Sequence, residues 1–435
     1  MSTPDPDPLE KIKQHLAGTL AQEMEAHPLS GPNLRQAALL QLQRMCTSDC
    51  IELPFDIRQE VFDEVIDSLL GYGPIQSLLK DPTINEVMVN GFNHVFIERG
   101  GELIETDVHF ENDEQVLHVI DRIVLPLGRR VDAEHPMVDA RLPNGSRVNV
   151  VIPPAAVDGP CITIRKFLQN RMTMEDLINI GTLTENMAEF LKACIVARLN
   201  IVISGPTSSG KTTFLNLLSG YIPGQQRIVT IEDAVELKLQ QRHVIRLETI
   251  NASIDGTGSV TARDLVRNAL RMRPDRIIVG EVRTGEAMDM IQAMNTGHAG
   301  SLTTVHANSP RDAISRIETS AMMAGLDIPL IVIRRQIASA LNLVIHLQRL
   351  TDGARRVTHI TEVSGMEGEV VTMSDIFKYE QTGISPDGKV LGNLRPTGLR
   401  PLFSPRLEVV GYKLRPEIFG ISVATAGQDS GRKSR

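Results

Sequence analysis

The stretch Gly205-Pro206-Thr207-Ser208-Ser209-Gly210-Lys211-Thr212, continued by Thr213, decides how the chain is read. Its spacing is G-x-x-x-x-G-K-T. Leu199-Asn-Ile-Val-Ile-Ser204 precedes it, apolar, partly β-branched and of strand length; Phe214-Leu-Asn-Leu-Leu218 follows and can continue as a helix. The motif thus stands at a strand–loop–helix junction, where a phosphate cradle needs it. Gly205 and Gly210 let the backbone wrap an anion without Cβ clashes. The loop N–H groups and the helix N-terminus then face that anion. Lys211 adds a point charge at the β- and γ-phosphates, and the Thr212 hydroxyl suits a Mg2+ ligand. A Gly/Ser turn could match by chance, but strand, loop, Lys-Thr pair and helix agree on a nucleotide site.

Outward from the loop, the chain alternates. Thr184 can cap a helix over Glu185–Arg198 that feeds the first strand. Downstream, Arg227–Ile231, Val244–Leu247, Arg276–Val279 and Ser301–Val305 are strand-like. Helical stretches at 311–324 and 329–341 follow, with strands and turns over 343–380. This is the α/β pattern of a mostly parallel sheet. Upstream, strand-like segments near 86–90, 94–98, 103–108, 138–142, 147–152 and 161–165 surround a helix over 114–125 that Asn112 can cap. Gly100-Gly101 and Asn144-Gly145 mark hairpins. The organisation expected is a disordered tail (1–8), a helical module (9–74), an α+β domain (75–166), a linker (167–180), an α/β domain with a C-terminal extension (181–420) and a flexible tail (421–435).

Composition narrows the function. The 435 residues are 42% hydrophobic but only 3% aromatic, with no Trp, so the cores are expected to rest on aliphatic side chains. A net charge of −8 argues against a protein that coats nucleic acid. Cys46, Cys50, Cys161 and Cys194 are scattered, read as ordinary residues, and suit a reducing compartment. No apolar run has the length of a membrane span, and the acidic, proline-rich start is no signal peptide. The expectation is a cytoplasmic protein that reaches any membrane through partners.

A phosphate loop needs carboxylates before it can hydrolyse anything. Glu281, after Arg276–Val279, stands where open α/β sheets bind ligands and can act on an attacking water. Glu232 and Asp233 follow Arg227–Ile231 in the same way, with Glu236 just beyond. His298 and His306 bracket a further strand-like run and can sense the γ-phosphate; eight residues apart, they do not read as a metal site. Arg263, Arg267 and Arg271 share one helix face, either a solvated basic face or a subunit interface. The plain readings of the other groups are solvated turns and ordinary histidines.

Together these blocks resemble the traffic ATPases of bacterial type II and type IV secretion and pilus systems, and within them the CpaF-type ATPase of tight-adherence (Flp) pili. Gly205–Thr212 matches the family's Walker A, Thr230–Glu236 its Asp box, Ile277–Arg283 its atypical Walker B and Gly297–Asn308 its His box. Arg267–Arg276, Ala293–Gly297, Met137–Asn149 and Ile164–Lys166 look equally typical, and the likeness covers roughly residues 60–380. The resemblance implies a RecA-like motor domain behind an α+β domain, in a homo-hexamer that binds ATP and Mg2+. It implies a cytoplasmic motor that drives inner-membrane platform proteins, for pilus assembly or for secretion, with retraction left open. It assigns Lys211 and Thr212 to phosphate and Mg2+. Glu281 is then the catalytic residue, Glu232 a secondary or metal-water carboxylate, and His306, with His298, a γ-phosphate reader. Arg147 and Arg165 match arginines that extend towards the nucleotide. One departure is Pro206-Thr207-Ser208-Ser209 inside the loop, where relatives often carry a second glycine. Two other classes stay open: a RecA-like nucleic-acid motor, and a scaffold that binds ATP but barely turns it over. Acidic charge and few aromatics for base stacking count against the first, Glu281 against the second.

Overall fold

A computed structural model describes residues 8–26, 34–49, 51, 53–167, 172–250 and 257–421. The expected tails, apart from Pro8 and Ile421, part of the expected linker, and Cys50 lie outside the described residues. The chain divides into two units, Met1–Asn170 and Arg171–Arg435.

In the first unit, apolar residues at helical spacing make α1 (Pro8–Ala26), α2 (Leu34–Ser48) and α3 (Phe55–Leu70). They bury Leu16 and Leu20 against Ala38, Leu42 and Met45, and against Phe62, Val65 and Ile66. After a short α4 (Gln76–Lys80) the period becomes two. The strands β1 (Ile84–Asn90), β2 (His94–Arg99), β3 (Glu102–Glu105), β4 (Met137–Arg141), β5 (Arg147–Val151) and β6 (Cys161–Arg165) form one antiparallel sheet, ordered β3-β2-β1-β6-β5-β4. Alternate residues, Val87 and Val89, Val148 and Val150, Ile162 and Ile164, face one core with Val116, Val119 and Ile120 of α5 (Asp113–Val124). Asn112 caps α5, its side chain accepting from the Gln115 N–H at 2.9 Å.

The second unit opens with α6 (Met174–Asn179), inside the stretch expected to be linker. Thr173 and Asp176 form a capping box there, and Leu177 joins the core. Next come α7 (Glu185–Val196), β7 (Ile201–Gly205), α8 (Lys211–Ser219), β8 (Ile228–Glu232), β9 (Val244–Glu248), α9 (Ala262–Ala269), β10 (Arg276–Val279), α10 (Glu286–Asn295), β11 (Leu302–His306), α11 (Pro310–Met322), α12 (Leu330–Ala340) and β12 (Leu343–Arg349). The chain finishes in a ribbon of β13 (Arg355–Glu367), β14 (Val370–Ile384) and β15 (Val390–Pro396), and then α13 (Ser404–Val409). The nine strands are ordered β15-β14-β13-β12-β7-β11-β10-β8-β9. From β12 to β9 every pairing is parallel; β13 to β15 add on antiparallel.

Both faces of the central parallel strands are covered, so β7, β8 and β10 are buried throughout and read as nearly continuous apolar runs. Ile201, Ile203 and Ile278 face one core with α7 and α8, while Val202, Ile277 and Val279 face the other with α9 to α12. The expectation that the cores rest on aliphatic side chains needs correction at one place. Phe190 of α7 packs against Phe377, Phe403 and Phe419 at ring-centroid distances of 5.5, 6.2 and 5.8 Å. Four of the 11 phenylalanines are gathered where the C-terminal segment meets the sheet.

Candidate functional site

The parallel strands end together. Gly205 closes β7, Glu232 closes β8, Gly280-Glu281 follows β10 and His306 closes β11. In register Gly205 lies beside His306, and Ser204 beside His346 of β12. A side chain at position 205 would place its Cβ 2.4 Å from the Leu347 carbonyl oxygen and 2.6 Å from Ser209 Oγ, which only glycine avoids. Ser208 takes φ 60° and Gly210 φ 92°, and α8 begins at Lys211. The Lys211 ammonium donates to the Gly205 and Pro206 carbonyls at 2.9 and 3.0 Å. Burial lowers its pKa, Glu281 opposes the shift and Arg283 adds to it. Pro206, Gly210 and Thr212 are half-buried, while Thr207, Ser208 and Thr213 are exposed. The buried Ser209 hydroxyl has no hydrogen-bond partner among the described residues.

Two carboxylates stand beside this loop in different environments. Glu232 is buried, and its Oε2 accepts the Glu236 and Leu237 backbone N–H groups at 2.8 and 3.0 Å. It packs against Gly280, where a Cβ would come 3.0 Å from Glu232 Cγ. Glu281 is half-buried, and its Oε2 accepts from Arg283 Nε at 2.5 Å. Arg283 also reaches Asp233 at 3.3 Å. Burial works against the charged guanidinium, but the bond to Glu281 holds the Arg283 pKa above its usual value. Glu286 fixes the turn by accepting the Arg283 and Thr284 backbone N–H groups at 2.6 and 2.8 Å.

His306 joins the group, its Nδ1 3.5 Å from Thr207 Oγ1. The strand that carries it is tied to the Glu281 turn: Thr304 Oγ1 donates to the Gly280 carbonyl at 2.7 Å, and the Val282 N–H to the Thr304 carbonyl at 2.9 Å. His298 is not brought in. It precedes the other end of β11, a strand's length from the loop, where its carbonyl accepts from Ser301 Oγ. Arg147 and Arg165 belong to the first unit. They face each other across β5 and β6, with Arg141 next in the row on β4. Like charges directly opposite are unfavourable, and Glu86, opposite Arg165 on β1 and 3.9 Å from its Nε, offsets part of the row's charge. The basic face expected at Arg263, Arg267 and Arg271 is corrected in part. Arg263 and Arg267 both donate to Asp289 of α10 at 2.8 Å, and Arg271 lies past the end of α9.

Sequence reasoning missed three neighbours of the loop. Arg283 lay inside a quoted block, but nothing in its spacing marked it as a clamp. His346 is buried, its Nδ1 2.9 Å from Ser204 Oγ, and stacks edge-on with His359 at 6.1 Å. Burial first, and His359 second, push its pKa down to about 4. Arg355, at the start of β13, donates through Nε to the Ser208 carbonyl at 2.9 Å. Its separation of 147 residues from Ser208 leaves no local signal.

A family model described as "Type II/IV secretion system protein" matches residues 68–384. A Mycobacterium tuberculosis protein named for conjugal transfer is 34% identical over 332 residues, covering 75% of this chain and 93% of its own. The type IV secretion system protein VirB11 of Brucella suis is 33% identical over 318 residues, covering 67% of this chain and 88% of its own. The crystal structure of the pilus retraction motor PilT with bound ADP is similar in fold, with a TM-score of 0.50 at 21% identity over 66% of this chain and 80% of that one. The second unit is thus a RecA-like P-loop fold.

Proposed function

We propose that this chain, which belongs to the type II/IV secretion system protein family, is the ATP-driven motor of a tight-adherence (CpaF-type) pilus or of a related secretion system. It is an ATPase, and works as a homo-hexamer at the cytoplasmic side of the inner membrane, on platform proteins embedded there. Among the described residues no helix is long and apolar enough to cross a membrane. The observation that carries the reading is the meeting of four separate blocks, those of Gly205, Glu232, Glu281 and His306, at the ends of neighbouring parallel strands.

The residues divide the work. The loop N–H groups and Lys211 bind the phosphates; Lys211, now on two loop carbonyls, turns to the stronger anionic partner. The donor set fits Mg2+. Among the described residues no group of three or more His, Cys, Asp or Glu could hold a metal alone, and Mg2+ normally takes one or two protein ligands besides phosphate and water. Thr212 would hold it, with Glu232 and Glu281 behind water, and it would neutralise charge on the β- and γ-phosphates. Glu281 is assigned as base, since Oε1 is left for the attacking water while Arg283 holds Oε2. Glu232 is the supporting carboxylate, because two backbone N–H groups bond its Oε2 and keep it in place. His306 reads the γ-phosphate through Thr207, and Arg147 and Arg165 act on nucleotide phosphate.

The test is phosphate release from Mg·ATP by the parent and by Glu281→Gln, with and without single-stranded DNA. Loss of a general base costs roughly 10²–10⁴-fold in turnover, so Glu281→Gln should bind ATP and hardly hydrolyse it. Equal rates would reject Glu281. Strong stimulation by DNA would reject the secretion reading in favour of a nucleic-acid motor.

A further inference from the structure

The phosphate loop holds a serine in a conformation that suits glycine. Ser208 has φ 60°, one of three non-glycine residues with positive φ among the described residues. In that region the Cβ of an L-residue is crowded by its own backbone, and glycine escapes the penalty. Ser208 is exposed, so no packing of its side chain offsets the strain. Among the described residues Arg355 is set against its carbonyl, Nε donating at 2.9 Å. The same side chain covers Gly210, its Cδ 3.5 Å from where a Cβ would stand. Arg355 makes no ion pair among the described residues, so its charge is not committed to a carboxylate.

We propose that Arg355 is a positioning residue that clamps the nucleotide loop in its left-handed form, replacing the freedom that a glycine at position 208 would supply. The peptide plane gives the reason. A trans peptide points its carbonyl and its N–H in opposite directions. Drawing the Ser208 carbonyl outward to Arg355 turns the Ser209 N–H inward, where it lies 3.4 Å from the Pro206 carbonyl. The clamp is delivered by a tight turn between β12 and β13, closed by the Leu350 N–H on the Ala354 carbonyl at 2.8 Å. The strand that enters this turn carries Leu347, whose carbonyl abuts Gly205. One hairpin therefore buttresses both halves of the loop, and Arg355 touches the backbone rather than the place a phosphate would take.

The inference rests on the ATPase reading and separates from it by experiment. A loop that is competent only part of the time binds with an apparent Kd raised by the inverse of that fraction, while turnover of the bound state is kept. A charge-assisted hydrogen bond of ordinary net strength makes that factor about tenfold. Mg·ATP binding by calorimetry, and KM and kcat by phosphate release, are measured on the parent chain, Arg355→Ala, Ser208→Gly and the double variant, with melting temperatures alongside. Arg355→Ala should raise Kd and KM about tenfold with kcat within about twofold. In the Ser208→Gly background the same substitution should cost no more than about twofold, because glycine adopts the conformation without the strain that the arginine offsets. Equal penalties in both backgrounds would overturn the clamp, as would a lowered melting temperature with unchanged Kd and KM. If the parent itself fails to bind Mg·ATP, the function falls and this inference with it; if the parent binds but the penalties are equal, only the clamp falls.

Discussion

At the scale of single residues, the site works by setting similar groups in unlike surroundings. Lys211 is half-buried and bonded to its own loop. Its charge is lost from the phosphates in Lys211→Ala, at roughly 1.5–3 kcal/mol for a bond to a charged group. ATP affinity should fall by ten- to a hundredfold and hydrolysis should vanish; unchanged affinity in a binding titration would contradict the cradle. His346 gives a pH signature. Its folded pKa of about 4 lies below the 6.5 of a free histidine. Its neutral form is therefore favoured by folding above pH 6.5, and that stability is lost as pH falls from about 6.5 to 4, at up to ~1.4 kcal/mol per pH unit. Melting temperatures across this range should fall less steeply for His346→Gln than for the parent, and parallel curves would reject the assignment. The sequence showed Lys211, Glu281 and Glu232 because strand-end motifs are local. It was silent on His346 and Arg355, whose neighbours are brought in by pairing of β12 with β7 and of β13 with β12.

At the scale of elements, most of the architecture was legible, since periods of two and of 3.6 are written in the chain. The Asn112 and Thr184 caps fall where the side chains predict them. The misses include short helices, α4, α6 and α13, and β15 in a Gly- and Pro-rich stretch. Their hydrophobic patterns are too brief to set a period, and tertiary contact decides them. The Phe190 cluster shows this. It joins α7 to residues beyond 400 through rings that were counted but could not be placed. Phe190 is fully buried, and truncating such a ring costs about 3–5 kcal/mol. Phe190→Ala should speed hydrogen exchange along α13 and β14 while leaving the first unit's amides unchanged. Unaltered exchange in α13 would mean that the cluster does not anchor the C-terminal segment.

At the scale of the whole molecule, the prediction is an assembly. Light scattering with a slowly hydrolysed ATP analogue should find a hexamer whose population rises with nucleotide or protein concentration. A monomer throughout would contradict the ring. The order of the strands carries a different consequence, in time. The loop at Gly205 is flanked by β11, about 100 residues later, and by β12, which starts at Leu343. At roughly 5–20 residues per second of synthesis, about 7–30 s pass between the appearance of the loop and that of its last neighbour. Through that interval β7, buried along its whole length in the finished fold, has an open edge and the loop has no buttress. On a nascent chain the first unit can thus form before the second has its sheet, and the grip on nucleotide is acquired only once β12 and β13 have been made.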